Sequence, residues 1–353
     1  MRIPEFWQEH LQEKIERIRA LQTQFGADGV SFAMITDIHW SHNAQYSAAL
    51  LEKVLTACDI PYYFNGGDVA CFCPYGTKEH LQGEFDGYKR AFAAIEHKCL
   101  ITLGNHDGVY STLPPPNEYS QNITKAEAVE NGFAFLRKYE NRVFGEDGTY
   151  YFADDRERKT RYIVLNTHDI PSNETDELGR AVYNTFRMFC IREPQLKWFA
   201  RVALDVPARD WSVVLCSHEN GTAKPHHKTR NHALILGIID AFKRGEKFTG
   251  KTEFDDQPYL NADISVDFTG AGGNFIAWVA GHVHEDKMLE ENGVVSIATS
   301  NDSYGSAAGY LPPHERGTIT EHTFDVFTVD KRTRRVFVTR IGGVGADRNF
   351  QYE

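Results

Sequence analysis

The sequence predicts an α/β fold, and three observations lead to this prediction. Apolar runs of strand length, rich in β-branched, aromatic or leucine residues, recur along the chain from residue 31. Helical patterns lie between several of these runs, and strands that alternate with helices are typical of α/β folds. Acidic residues and histidines follow directly after the runs, at the strand ends where α/β sheets gather their polar groups.

Seven of these runs are predicted to be buried strands. They are almost continuously apolar, which indicates sheets that are covered on both faces. In chain order they are SFAMIT, YYFNG, CLITLG, YIVLN, SVVLCS, NFIAWVA and VVSIAT. Near the C-terminus, two alternating segments are joined at Asp330-Lys331-Arg332-Thr333, which predicts a β-hairpin.

Helices are predicted over residues 5–25, 43–58, 79–97 and 231–244. The first carries one apolar stripe, which packs on the body of the protein or forms a dimer contact. Asn43 is a candidate N-cap for the second helix, and Thr124 and Glu127 have the spacing of a capping box for a further one.

The domain organisation follows from these elements. We expect an N-terminal amphipathic helix at residues 1–29, one domain at residues 30–345 and a tail at residues 346–353. Two segments interrupt the alternating pattern and are interpreted as insertions over the strand ends, where substrate selectivity would be set: residues 108–150 and 219–273.

Composition excludes several classes of protein. The chain has 353 residues, 41% of them hydrophobic, which excludes a mainly disordered chain. A net charge of −11 argues against broad binding to nucleic acid or anionic lipid. No apolar run approaches the length of a membrane span, and the charged N-terminus does not resemble a signal peptide. Six scattered cysteines without a CxxC pair indicate reduced thiols, so we expect a cytoplasmic location.

The polar residues at the strand ends are candidate metal ligands. Carboxylate, imidazole and amide groups bind hard to borderline divalent ions. Seven ligands are too many for one ion with open positions and suit two ions that share a bridging carboxylate. The candidates are Asp37, His39, Asp68, Asn105, His218, His282 and His284.

The order of these residues gives a more specific interpretation. The chain contains D-x-H, G-D, G-N-H-D, a lone His and G-H-x-H in that order, each after a predicted strand. These are Asp37-Ile38-His39, Gly67-Asp68, Gly104-Asn105-His106-Asp107, His218 and Gly281-His282-Val283-His284. The set resembles the calcineurin-like metallophosphoesterase superfamily, and within it the branch that includes class III cyclic-nucleotide phosphodiesterases. It lacks the Tyr of the G-D-x-x-Y motif in purple acid phosphatases, because Cys71 stands at that position.

This resemblance implies a four-layer α/β/β/α sandwich of two mixed sheets with flanking helices, and a dinuclear metal site. One ion would be held by Asp37, His39 and His284, and the other by Asn105, His218 and His282. Asp68 would bridge the two ions. His106 would contact the phosphate and assist the leaving oxygen, oriented by Asp107.

The expected function is metal-dependent hydrolysis of a phosphoester, with a phosphodiester favoured, through in-line attack by a hydroxide held between the ions. A phosphomonoesterase, a nucleotide pyrophosphatase and a non-catalytic metal-binding scaffold remain alternatives. Mn²⁺ or iron is the favoured metal and Zn²⁺ is a further option. The expected partner is a small or medium phosphorylated substrate, with no membrane and no nucleic acid. His42 and His227 are candidate substrate contacts, and Cys71 and Cys73 are either metal or redox thiols or an inert pair.

Overall fold

Two large mixed β-sheets form the centre of the protein. The computed structural model describes residues 3–41, 43–71, 77–107, 125–132, 134–170, 174, 176–177, 182–183, 188–223, 228–255, 257–302, 314–343 and 345–353. In chain order the strands are β1 (Gly29–Ile35), β2 (Tyr63–Asn65), β3 (Cys99–Ile101), β4 (Arg142–Phe144), β5 (Tyr151–Asp155), β6 (Thr160–Val164), β7 (Ser212–Cys216), β8 (Lys247–Thr252), β9 (Ala262–Asp267), β10 (Asn274–Ala280), β11 (Lys287–Glu291), β12 (Val294–Ala298), β13 (Thr323–Asp330), β14 (Arg335–Gly342) and β15 (Arg348–Gln351). The helices are α1 (Phe6–Phe25), α2 (Ala44–Ala57), α3 (Lys78–Phe92), α4 (Lys125–Gly132), α5 (Glu193–Trp198) and α6 (His232–Arg244).

The order of the strands brings parallel strands to the middle of each sheet. The first sheet has the order β15-β14-β13-β1-β2-β3, in which β1, β2 and β3 are parallel. The second has the order β11-β12-β10-β7-β6-β5-β4, in which β6, β7, β10 and β12 are parallel. Strands β8 and β9 pair as a separate hairpin. Parallel strands have their carboxyl ends on the same side of a sheet, so the loops that follow these strands lie close together there.

The apolar core shows that the two sheets and their helices form layers. Tyr162 and Val164 of β6 pack in one cluster with the first sheet and α1–α3, whereas Ile163 and Leu165 pack in another with α5 and α6. Successive residues of a strand point to opposite faces. The second sheet therefore lies between two apolar layers, and the predicted α/β/β/α arrangement of two mixed sheets with flanking helices is confirmed.

Helix α1 explains the apolar stripe near the N-terminus. Its side chains Trp7, Leu11, Ile15 and Ile18 are buried, and the helix contacts strands β13 and β14. The helix ends at Gly26, whose positive φ of 55° favours glycine. The stripe therefore packs on the body of this chain.

Three local features differ from the sequence-based prediction or lie beyond it. Asn43 precedes α2, but its side chain donates to Glu321 and forms no capping hydrogen bond. Residues 348–351 of the predicted tail form β15, which pairs with β14 at the sheet edge. The predicted cap Thr124 lies outside the described residues, and the helix there is α4.

The predicted C-terminal hairpin is present as β13 and β14, paired from Thr323↔Gly342 to Asp330↔Arg335.

A buried ion cluster holds the C-terminal strands to the rest of the fold. Arg340 of β14 is 1% exposed, and its Nε lies 2.7 Å from Oδ1 of Asp325 in β13. Arg340 also donates to Asp286, which follows β10, and Arg348 donates to Asp325 at 2.6 Å. Burial raises the pKa of Asp325, but the two arginines outweigh burial and lower it overall.

Arg340→Met is expected to lower the free energy of unfolding by about 3 kcal/mol, because it leaves Asp325 buried with one weaker partner. Since the pKa of Asp325 is lowered in the folded protein, this stabilisation is complete above the usual carboxyl pKa and is lost as pH falls through the lowered value. Urea unfolding of wild type and variant from pH 7 to pH 3 should show the difference shrink. Arg335→Met, on the exposed face of the same strand, is the control and should change stability by less than about 0.5 kcal/mol.

None of the described helices is both long enough and apolar enough to cross a bilayer.

Candidate metal centre

Five loops bring the predicted site residues to one edge of the two sheets. Each loop follows a parallel strand. In each case the apolar run forms the strand, and the polar residues after it lie in the loop. Asp37 and His39 follow β1, Asp68 follows β2, and residues 105–107 follow β3. From the second sheet, His218 follows β7, and residues 282–284 follow β10.

Four buried side chains form the first group. The donor atoms of Asp37, His39, Asp68 and His284 all lie within 4.8 Å of one another. Nε2 of His284 lies 3.1 Å from Oδ1 of Asp37 and 3.2 Å from Nε2 of His39. Two imidazole nitrogens and two carboxylates thus converge on one small volume.

Asn105, His218 and His282 form the second group beside it. Oδ1 of Asn105 lies 3.0 Å from Nε2 of His218 and 3.0 Å from Nδ1 of His282. Oδ2 of Asp68 lies 3.4 Å from Nε2 of His218 and 3.9 Å from Nε2 of His39. The Asp68 carboxylate therefore lies between the two groups.

The backbone of these loops is unusual. Five of the site residues have positive φ although none is glycine: Asp37, His39, Asp68, His282 and His284. Such conformations are costly for residues with a Cβ, and they concentrate at functional sites. Gly104 serves the same packing, because a Cβ at this position would overlap the Asp68 carboxylate.

Neighbouring groups fix the orientation of several site residues. Thr36 donates to Oδ2 of Asp37 at 2.6 Å, and the backbone N–H of His282 donates to the same oxygen at 3.0 Å. Nδ1 of His218 donates to the carbonyl of Gly66 at 2.7 Å, which leaves Nε2 to face Asp68 and Asn105. A histidine that binds metal through one nitrogen typically donates from the other in this way.

Asp107 connects two of the site loops through its carboxylate. Its Oδ1 accepts from the backbone N–H of Ala70 at 2.9 Å, and its Oδ2 accepts from that of Gly104 at 2.9 Å. These bonds direct the carboxylate towards the backbone of the loops after β2 and β3. The Asp107 carboxylate thus joins two site loops, and its orientation of the His106 ring stays a prediction.

The electrostatics of the site favour positive charge between the carboxylates. Burial alone raises the pKa of Asp37, but His284 outweighs it and brings the pKa to about 2. Burial lowers the pKa of His218, yet the Asp68 carboxylate overrides this and raises it to about 10. By contrast, burial dominates at His39 and lowers its pKa to about 4. Burial, followed by the nearby Asp68, raises the pKa of Asp107 to about 8.

These residues fit a pair of divalent cations. Nε2 of His39 and Nε2 of His284 face each other at 3.2 Å, beside two buried carboxylates that attract positive charge. Nitrogen and oxygen donors of this kind suit Mn²⁺, iron and Zn²⁺. One ion would be held by Asp37, His39, Asp68 and His284. The other would be held by Asp68 together with Asn105, His218 and His282.

His106 lies at the rim of this centre. Its backbone N–H donates to Oδ1 of Asp68 at 2.7 Å, and its ring packs edge-on against that of His39. The His106 side chain is 21% exposed, whereas those of His39 and His284 are 6% and 8% exposed. The predicted substrate contacts His42 and His227 lie outside the described residues.

Sequence reasoning did not single out several residues that contact the centre. Phe189 packs against the ring of His282 with 4.6 Å between ring centroids, and nothing in the sequence marks this aromatic residue. Thr36 was also missed, although its place directly before Asp37 was a usable signal. The thiol of Cys71 lies near His39 and His106, whereas Cys73 lies outside the described residues.

Comparison with known proteins gives a family and several distant structures. The profile of the family described as calcineurin-like phosphoesterase matches residues 30–286. GAP50, the anchor in the inner membrane complex of Plasmodium, is 11% identical over 92% of this chain and 89% of its own, with a TM-score of 0.44. The NAD nucleotidase NadN of Haemophilus influenzae is 12% identical over 92% of this chain and 49% of its own, with a TM-score of 0.41. The phosphopantetheinyl hydrolase PptH of Mycobacterium tuberculosis is 14% identical over 78% and 91%, with a TM-score of 0.33. No curated protein matches the sequence.

Proposed function

The chain belongs to the calcineurin-like phosphoesterase family, and we propose that it is a metal-dependent hydrolase of phosphodiesters with a dinuclear centre. The observation that carries this proposal is the position of Asp68. Its carboxylate lies between a group of two histidines and an aspartate on one side and a group of two histidines and an asparagine on the other. One carboxylate shared by two sets of ligands is what a two-metal hydrolase requires.

The chain's own residues would divide the chemistry among themselves. Two ions, when bound, would supply an acidified water and would neutralise charge on the phosphate oxygens. The seven candidate ligands would hold these ions, and the leaving oxygen of the substrate would lie opposite the attacking oxygen. His106, the partly exposed imidazole at the rim, donates a proton to the departing oxygen. Asp107 holds the loop of Asp68 against the loop of His106 through its two backbone hydrogen bonds.

Turnover of two simple esters tests the proposal. Purified protein loaded with Mn²⁺ is assayed with bis(p-nitrophenyl) phosphate and with p-nitrophenyl phosphate. We expect faster turnover of the diester. A monoester preference would favour a phosphomonoesterase on the same site, and absence of both activities in protein that holds two ions would favour a non-catalytic scaffold.

The working environment is part of the proposal. The net charge of −11 favours a small or medium phosphorylated substrate over nucleic acid. A cytoplasmic location fits cysteines that form no disulfide among the described residues, namely Cys58, Cys71, Cys99, Cys190 and Cys216. The insertions at residues 108–150 and 219–273 each begin directly after site residues, those that follow β3 and the one that follows β7. They are the segments that we expect to select the substrate.

A further inference from the structure

A second set of donor atoms adjoins the candidate metal centre. The thiol of Cys71 and one ring nitrogen each of His39 and His106 all lie within 4.8 Å of one another. This set shares His39 with the group that contains Asp37, Asp68 and His284. Cys71 therefore lies beside His39, the residue that the two groups share, on the side of His106.

Several backbone hydrogen bonds hold Cys71 at this place. Its N–H donates to Oε2 of Glu84 in α3 at 2.8 Å, and the N–H of the preceding Ala70 donates to Asp107. The carbonyl of Val69 accepts from the N–H of Trp40 at 2.8 Å, which joins this segment to the loop that carries His39. The backbone at residues 69–71 is thus positioned by contacts with three other segments of the chain.

His39 provides an independent observation. The residue is 7% exposed, and its Nε2 faces Asp37, Asp68 and His284. Its Nδ1 is buried and has no hydrogen-bond partner among the described residues. A buried imidazole without a hydrogen bond on Nδ1 is costly, so the ring is held by what its other nitrogen binds.

We propose that Cys71 is a thiolate ligand of the ion held by Asp37, His39 and His284. This inference rests on the proposed metal centre and extends it by one donor of a different chemistry. The S–H bond breaks, its proton passes to the solvent, and the sulfur lone pair forms the bond to the ion. Donors that share one ion lie within roughly 4 Å of one another, so the thiol of Cys71, which is within 4.8 Å of a ring nitrogen of His39, would move closer to it when the ion binds.

The proposal has a consequence for metal choice. Thiolates favour Zn²⁺, Fe²⁺ and Co²⁺ over Mn²⁺ and Mg²⁺, which prefer oxygen donors. A centre with Cys71 among its ligands therefore retains the softer ions. The other donors of that ion would be the carboxylates of Asp37 and Asp68 and the imidazoles of His39 and His284.

Cobalt spectroscopy tests this assignment without an activity assay. Metal-free protein is loaded with Co²⁺, and the near-ultraviolet charge-transfer band from sulfur to cobalt is recorded together with the bound cobalt. We expect the band in wild type and its loss in Cys71→Ser, with cobalt still bound. Cys58→Ser is the matched control, because Cys58 is a buried thiol after α2, away from the site loops, and it should keep the band.

The outcomes separate the two proposals. A band that persists in Cys71→Ser, or is absent from wild type holding cobalt, would overturn the thiolate assignment alone. Failure of wild type to take up cobalt would overturn the metal centre as well.

Alkylation of Cys71 in wild type needs no variant: iodoacetamide labelling, followed by peptide mass spectrometry, should slow at least tenfold when metal binds. An equal labelling rate with and without bound metal would also overturn the assignment.

Discussion

Asp68→Asn is expected to lower the turnover of phosphodiesters by at least about a thousandfold, which corresponds to about 4 kcal/mol of lost transition-state stabilisation. The bound metal should fall from two ions to one or none. The reason is geometric, because Asp68 is the one carboxylate within 4 Å of both His39 and His218 among the described residues. An asparagine keeps the shape but removes the charge and one of the two anionic oxygens. Metal analysis and steady-state kinetics measure the two effects.

The control for this variant is Asp263→Asn, on the exposed face of β9. It removes the same charge from the protein and should leave both metal content and turnover unchanged. If Asp68→Asn kept two ions and normal turnover, the bridging assignment would be wrong. Circular dichroism would separate loss of metal from loss of fold.

His106→Ala is expected to keep both ions and to lower turnover by about 10²–10⁴-fold for esters with poor leaving groups. The His106 ring lies at the rim, outside the group of four buried donors, so metal content should not change. Esters with activated aryl leaving groups need little protonation of the departing oxygen, so their turnover should fall much less. A series of leaving groups with rising pKa, assayed at constant pH, measures the difference.

His97→Ala is the matched control, because this histidine is exposed in the turn after α3. It should leave the leaving-group dependence unchanged. An equal loss of rate across the whole series in His106→Ala would contradict the proton-donor role and would point to binding of the phosphate instead. Loss of an ion would place His106 among the ligands.

The α/β fold and the family could be predicted because both depend on local patterns in a fixed order. Each apolar run ends in its polar residues, and parallel strands bring those ends to one edge. The family match over residues 30–286 confirms the resemblance, and the two mixed sheets confirm the fold. The assignment of individual ligands to ions remains a prediction.

Other features depend on contacts that are distant in sequence or on backbone geometry. Residues two apart in a strand share a face, so strand geometry alone does not explain why His282 and His284 lie in different groups. The positive φ of both residues accounts for this separation, which the resemblance implies and the strand pattern does not. Asn43 has a residue type that is common at helix N-caps. Its side chain instead donates a hydrogen bond to Glu321, which is 278 positions away. The hydrogen bonds that Asp107 accepts from two backbone amides of the site loops depend in the same way on the folded loops, and no sequence pattern predicts them.

The left-handed backbone of five site residues affects how long the protein survives in a cell. Each such residue costs about 1–2 kcal/mol, so together they approach the whole stability of an ordinary domain. Cations that bind only the folded chain offset this free-energy cost, because their binding shifts the folding equilibrium towards the folded state. Metal starvation would therefore raise the unfolded population and hasten proteolysis, so that the abundance of the protein follows the metal supply.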